Sequence, residues 1–281
     1  PRFFLNKMGY TSITQVCVGD SAEVALTMLF ADIRHFTSVA EGMTSRELFT
    51  WVQGYFRLMT SIIEGHRGNI NQFIGDALFA LFSSAKDGVT CAIAMQSRAQ
   101  QLNVQRLCEE SASVPVSIGV GLHHDVLSLG ILGDDKRHTC TAISASVNLA
   151  SRLEGLTKQL GCRVLATEAV VDQLSPQILK ETAMRKLGVA QMKGSLAATP
   201  IYDVFQADER APQAYKAATL KTFERYTKLA LRPDDQITDA DHADIAHLRS
   251  TLEAAAERYS IKDVSMAAME AVRDPKSGRL V

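Results

Sequence analysis

Several functional classes are excluded by what the chain lacks. Among its 281 residues, 30 Lys and Arg stand against 31 Asp and Glu. No basic excess is available to neutralise a phosphate backbone, so a nucleic-acid partner is not expected. No stretch reaches the roughly 20 consecutive apolar residues that a membrane-spanning helix needs, and the N-terminus lacks the basic, apolar, small-residue order of a secretory signal. No membrane contact is expected of this segment. Cysteine is scarce: Cys17, Cys91, Cys108, Cys140 and Cys162 are odd in number, scattered and without CxxC spacing. That argues against a disulfide framework or a structural zinc site, and for reduced thiols in a cytoplasmic protein. HExxH and GxSxG are both absent, which removes the commonest zinc-hydrolase and serine-nucleophile readings. The chain opens on Pro1 and not Met, so an upstream regulatory domain is expected.

What is present, 46% hydrophobic and 22% charged residues, describes an ordinary globular protein. Residues 24–31 form an apolar run too short for a typical helix and suited to a buried strand, ending at Asp32. Residues 45–65 place Leu48, Phe49, Val52, Tyr55, Phe56, Met59, Ile62 and Ile63 at the 3-4 spacing of an amphipathic helix, stopped by Gly68. Two strands, 70–74 and 77–82, flank Gly75-Asp76, a two-residue hairpin turn. A helix over 86–107 and a β-branched strand over 114–122 follow. The order β-α-β-β-α-β predicts an α+β protein with a ferredoxin-like core. A Gly-Asp-Asp turn at 133–135, a helix over 145–160, a strand at 163–166 and a hairpin over 185–205 extend it. After Phe205 the chain turns charged and alanine-rich, with Ile245, Leu248, Leu252, Ala255 and Tyr259 at helical spacing behind Thr238. The expected division is a lead-in over 1–23, a main domain over 24–206 and a C-terminal helical extension over 207–281.

In a β-α-β-β unit the end of the first strand and the following hairpin turn lie side by side, so Asp32 and Asp76 would face one another. Two such carboxylates suit Mg²⁺ or Mn²⁺, yet both positions are also ordinary turn sites for aspartate, and spacing alone leaves both readings open. The local sequences add more. Residues 30–37 (FADIRHFT), 73–82 (FIGDALFALF) and 147–154 (VNLASRLE) closely resemble, in order and interval, the three signatures of the class III nucleotidyl cyclase catalytic domain. The resemblance covers roughly residues 1–206 and takes in 119–123 and the Lys193-Gly194 hairpin. It implies conversion of a nucleoside triphosphate to a 3′,5′-cyclic monophosphate by a two-metal displacement. On this resemblance Asp32, Asp76 and the Ile33 carbonyl hold two Mg²⁺ or Mn²⁺ ions, Asn148 orients the ribose and Arg152 neutralises charge at the α-phosphate. The amides of Phe36 and Thr37 and the Lys193 ammonium bind the triphosphate. The family's sites are shared between subunits, which implies a head-to-tail homodimer.

The chain departs from the pattern at the base contacts. Where adenylyl members carry a lysine, it has Gln72, and the partner position is Thr141. The threonine supports ATP; the glutamine amide, carrying donors and an acceptor, matches more than one base edge. Cyclic GMP, cyclic UMP or CMP in phage defence, and a non-catalytic regulatory domain remain as alternatives. Ser144-Ala145-Ser146 stands where many members have Gly or Ser followed by Asp or Asn, a change expected to act on loop geometry. A diguanylate cyclase is disfavoured because the hairpin reads Ile74-Gly75-Asp76-Ala77.

Overall fold

In a computed structural model that describes residues 2–108, 115–134, 137–192 and 198–281, a short helix α1 (Arg2–Lys7) leads into strand β1 (Ser21–Ile33). Next come α2 (Phe36–Glu41), α3 (Ser45–Gly65), β2 (Asn69–Ile74), β3 (Ala77–Phe82) and α4 (Ala85–Cys108). Then follow β4 (Ile118–Gly133), β5 (His138–Ile143), α5 (Ala145–Gln159), β6 (Val164–Thr167), α6 (Glu168–Val171) and α7 (Pro176–Glu181). The hairpin β7 (Arg185–Gln191) and β8 (Ala198–Asp203) precedes α8 (Arg210–Ala230), α9 (Asp239–Arg258) and α10 (Ser265–Ala271). The expected ferredoxin-like order is present: β2-β3-β1-β4 form one half of an eight-stranded sheet, extended by β6-β8-β7, with β5 paired to β4. Val114, Asp135, Lys193 and Gly194 lie outside the described residues.

The local starts and stops follow from the sequence. Thr44 caps α3 and Glu47 closes a reciprocal capping box, satisfying backbone donors that the helix start leaves free. Gly75 turns between β2 and β3 at φ +64°, a left-handed conformation that costs a residue without Cβ little. The strand expected over 114–122 runs on to Gly133, and β5 was not anticipated. Leu127, Leu129 and Ile131 alternate inward there, and pairing with β1 and β5 carries the strand past the polar Asp125 and through Gly130.

β1 pairs with β4 without a break from Ser21↔Gly130 to Ile33↔Ile118. Because successive strand residues point to opposite faces, this register separates two layers. Leu29, Ala31, Val120 and Leu122 pack with Tyr55, Met59 and Ile63 of α3 and with Val89 and Met95 of α4. The other face carries Met28, Phe30, Phe79 and Leu81, and Ala150 of α5 packs there. α5 approaches β4 so closely that a Cβ on Gly121 would stand 2.5 Å from the Glu154 nitrogen and 2.8 Å from the Ala150 oxygen. A Cβ on Gly119 would stand 2.3 Å from Glu154 Oε1. Glycine at both positions therefore sets the helix-to-sheet distance.

The C-terminal helices cover the outer side of α5 and the β6-β8-β7 edge. Phe223, Tyr226, Leu248, Leu252 and Met269 share one buried cluster with Leu153, Leu156, Leu187 and Ile201. Beside it, Arg185 reaches Asp203 (Nε to Oδ2, 3.1 Å), Asp263 (Nη1 to Oδ2, 3.2 Å) and Ser265 (Nη2 to Oγ, 3.0 Å), with its guanidinium 4.0 Å from the Phe223 ring centroid. Lys216 Nζ donates to Asp203 at 2.8 Å and to Asp208 at 2.6 Å. Burying this many charges is tolerable only because nearly every one has a partner. Gly121→Ala is expected to destabilise the fold by about 2–4 kcal/mol, since the clash is with helix backbone that cannot rotate away. Urea denaturation checks this, and a loss below about 0.5 kcal/mol would show that α5 can shift outward freely.

Candidate active site

Asp32 is the penultimate residue of β1 and half-buried. β3 pairs with β1 as far as Ala31↔Leu78, which carries the Gly75-Asp76 turn to the same end of the sheet. The two carboxyl groups meet there. Burial, then a hydrogen bond with Asp76 and the charge of Asp76, push Asp32 up to about 6, against the pull of the Ile33 amide, which donates to Oδ1 at 2.7 Å. Like charges held this close favour either a shared proton or a bound cation.

Directly opposite residues of an antiparallel pair project to one face, and Asp32 lies opposite Gly119. The missing side chain of Gly119 admits Glu154, from the inner face of α5, toward the Asp32 side of the sheet. Burial raises Glu154 to about 7; Asp32 and Asp76 add to the rise and the Arg34 guanidinium opposes it. Arg34 is itself tied down, donating through Nη2 to Thr157 Oγ1 at 3.1 Å and to the Cys162 carbonyl at 2.5 Å. From the α3 side comes Tyr55, 4% exposed, whose hydroxyl has no hydrogen-bond partner among the described residues. Burial, reinforced by Asp32, Asp76 and Glu154, holds that phenol well above its ordinary range. Among the described residues no three His, Cys, Asp or Glu side chains are grouped to hold a metal by themselves. The donor set that could hold one is the Asp32–Asp76 pair with neighbouring backbone oxygen, hard ligands that fit a divalent cation.

The remaining expected residues lie on other surfaces. Ser144 caps α5 by accepting from the Ser146 amide at 3.1 Å. Asn148 and Arg152, one turn apart on that helix, are exposed and make no hydrogen bond or ion pair among the described residues. They face away from Glu154, so one chain does not join them to Asp32 and Asp76. Gln72 is exposed on β2 just after an irregularity at Asn71 that shifts the pairing from Ile70↔Ala80 to Gln72↔Phe79. Such a bulge re-aims the following side chain. Thr141 is half-buried on β5, opposite Gly130, and β5 lies against β2, so the two base-contact candidates occupy neighbouring strands. Phe36 and Thr37 open α2 behind His35, whose φ of 58° turns the chain sharply out of β1. Lys193 lies outside the described residues.

Glu154 and Tyr55 were not singled out from the sequence. Glu154 sits inside the third motif, two residues after Arg152, and helical periodicity alone puts it on the opposite face. Tyr55 reads as one more apolar position of an amphipathic helix.

The sequence profile of the adenylate and guanylate cyclase catalytic domain matches residues 20–205. An adenylate cyclase of Anabaena cylindrica is 35% identical over 209 residues, 73% of this chain and 41% of that protein. The chain thus spans less than half the length of the curated relatives it matches first. The crystal structure of the adenylyl cyclase CyaB from P. aeruginosa is similar at a TM-score of 0.58 and 26% identity, over 66% of this chain and 95% of that one. A guanylyl cyclase crystal structure is similar at 0.56 and 26%, over 66% and 93%. Both the paired carboxylates and the exposed face of α5 fall within the matched residues, and the chain belongs to the family of adenylate and guanylate cyclase catalytic domains.

Proposed function

We propose that this chain converts a nucleoside triphosphate, with ATP preferred, to the 3′,5′-cyclic monophosphate and pyrophosphate in a head-to-tail homodimer. The observation that carries the reading is the pairing of Asp32 with Asp76 at one end of the sheet while Asn148 and Arg152 look outward from another surface. Two half-sites on one chain become two whole sites when a second copy turns its α5 toward the carboxylates. Exposed apolar side chains on the β2, β4 and β5 surfaces support such a contact: Phe73, Ile74, Val126, Leu132 and Ile143 are all about half exposed.

Asp32, Asp76 and the Ile33 carbonyl would hold two Mg²⁺ or Mn²⁺ ions, whose chemistry is to acidify the ribose 3′-hydroxyl and to bind the triphosphate. Asn148, with donor and acceptor on one amide, orients the ribose across the interface. Arg152 presents a planar fork of donors to the α-phosphoryl oxygens, where charge builds as the 3′-oxygen attacks in line and pyrophosphate leaves. The amides of Phe36 and Thr37, at the start of α2, and the Lys193 ammonium take the outer phosphates. Arg152 has no partner among the described residues to compete with a phosphate.

ATP is favoured by Thr141 and by the adenylate cyclase relatives. Gln72 supports a looser choice than a lysine there, because its amide can flip to present either edge. The part of the relatives beyond the matched region leaves regulatory input to neighbouring domains.

Purified chain with Mn²⁺ and equimolar ATP, GTP, CTP and UTP is expected to form cyclic AMP as the main product, read by mass spectrometry, with Asp32→Ala as the blank. A dominant pyrimidine product would overturn the base assignment, and Gln72→Lys should sharpen the preference for ATP. Asp32→Ala and Arg152→Ala are each expected to be inactive, but mixed and reassembled they should recover roughly a quarter of wild-type activity, since half of the dimers then hold one intact site. No recovery in a verified heterodimer would remove the shared site. In EDTA, Asp32→Asn should raise the thermal midpoint by roughly 2–4 °C through relief of carboxylate repulsion. Mn²⁺ should raise the wild-type midpoint and leave that of the variant unchanged; equal shifts would place the ion elsewhere.

A further inference from the structure

Gly119, Gly121, His123 and Asp125 alternate along β4 and project toward α5. The helix runs back along them: Glu154 and Thr157 lie over Gly119, Ala150 and Glu154 over Gly121. Two strand residues advance about 6.7 Å and four helix residues about 6 Å, so the next helical turns fall over His123 and Asp125 in step. The glycine contacts are steric and limit how near the helix comes. They exert little control over sliding or rotation about its axis.

The polar contact at the other end has direction. Ser146, buried in the first turn of α5, donates its hydroxyl to Asp125 Oδ2. Asp125 Oδ1 accepts from the Val126 amide at 2.8 Å, which holds the carboxylate against its own strand. Ser144 completes the turn by capping the Ser146 amide. A carboxylate beside a helix start is also favoured by the helix dipole. Burial works against the ionised form of Asp125, but the Ser146 bond, the Val126 amide and the two histidines hold it below the ordinary carboxylate range. His123 lies 3.9 Å from Asp125 through Nε2, while its Nδ1 is engaged with Thr167 Oγ1 at 2.8 Å.

We infer that Asp125 is a positioning residue for the reaction: its bond to Ser146 sets the register of α5 on β4 and so the reach of Asn148 and Arg152 into the partner's half-site. This rests on the reading of those two residues as ribose and α-phosphate contacts. Asn148 is two residues beyond Ser146, and Arg152 one turn further. Because on that reading they act across a subunit interface, and among the described residues neither has a partner to hold it, a small rotation of α5 moves both together.

The test is a double-mutant cycle on the full chain: wild type, Asp125→Ala, Ser146→Ala, both together, and Asp125→Asn. Each single alanine variant is expected to lower kcat about tenfold with KM within about threefold, since misplacement of reacting groups acts on the transition state. The double variant should fall no further than either single one, because the two changes remove one bond. Asp125→Asn, whose amide oxygen still accepts from Ser146, should recover most of the rate. A kcat unchanged by either alanine, or singles that multiply to roughly a hundredfold in the double variant, would overturn the inference. So would stability losses in urea large enough to account for the lost rate. If wild type makes no cyclic product, the proposed function itself fails. The same cycle on the affinity for Mn²⁺ and a fluorescent N-methylanthraniloyl-ATP then decides: a coupled, non-additive loss upholds Asp125 as a positioning residue, and an unchanged affinity overturns it.

Discussion

Thirteen residues of β1 lie in unbroken register against β4, and nearly every other placement in the molecule depends on that pairing. It puts Asp32 opposite Gly119, so that the carboxylate and the gap that admits Glu154 share a face. It also sends the alternate residues to the layer where α3 and α4 pack. A slip of one residue would exchange the two faces. Asp32 would then stand opposite Val120 or Ile118 and point into the layer of Tyr55 and Met59, away from Gly119 and Glu154.

The electrostatics follow from where this register ends. Burial, with the charges of Asp32 and Asp76, raises the Glu154 carboxyl, Arg34 opposes that rise, and Arg34 donates to Thr157 and the Cys162 carbonyl. A single chain therefore holds negative charge at Asp32 and Asp76 and, elsewhere, an arginine, Arg152, with no partner among the described residues. On the proposed function, a cation, a polyphosphate and a second copy would resolve both. The assembly reading grows out of this imbalance as much as out of the exposed apolar surface.

The C-terminal helices bear on the same elements. They share a core with Leu153 and Leu156 of α5, and the Arg185 and Lys216 network ties them to both strands of the β7-β8 hairpin. Leu280 adds a further bond at each side, accepting from the Gln191 amide at 2.7 Å and donating to the Val189 oxygen at 2.8 Å. The helices thus pack against α5, which carries Asn148 and Arg152, and against the β7-β8 hairpin.

The sequence by itself determined the helix and strand order of the core, the Gly75-Asp76 turn and the family, because these rest on local periodicity, turn chemistry and short motifs. Periodicity also made the capped helix behind Thr238 legible. The second half of β4 was legible only in part, since Leu127, Leu129 and Ile131 alternate and are buried but Asp125 precedes them and Gly130 stands among them; the threonines of β5 carry no such pattern and gain their conformation from partners. Periodicity separates Glu154 from Arg152, but tertiary structure alone decided that Glu154 is the one turned toward the sheet, that the Tyr55 hydroxyl, with no partner among the described residues, feels the charges of Asp32, Asp76 and Glu154, and that Asp125 accepts from Ser146. The physical reason is the same for all three: each depends on which face meets which neighbour across more than 20 residues of chain, and no local propensity encodes that distance.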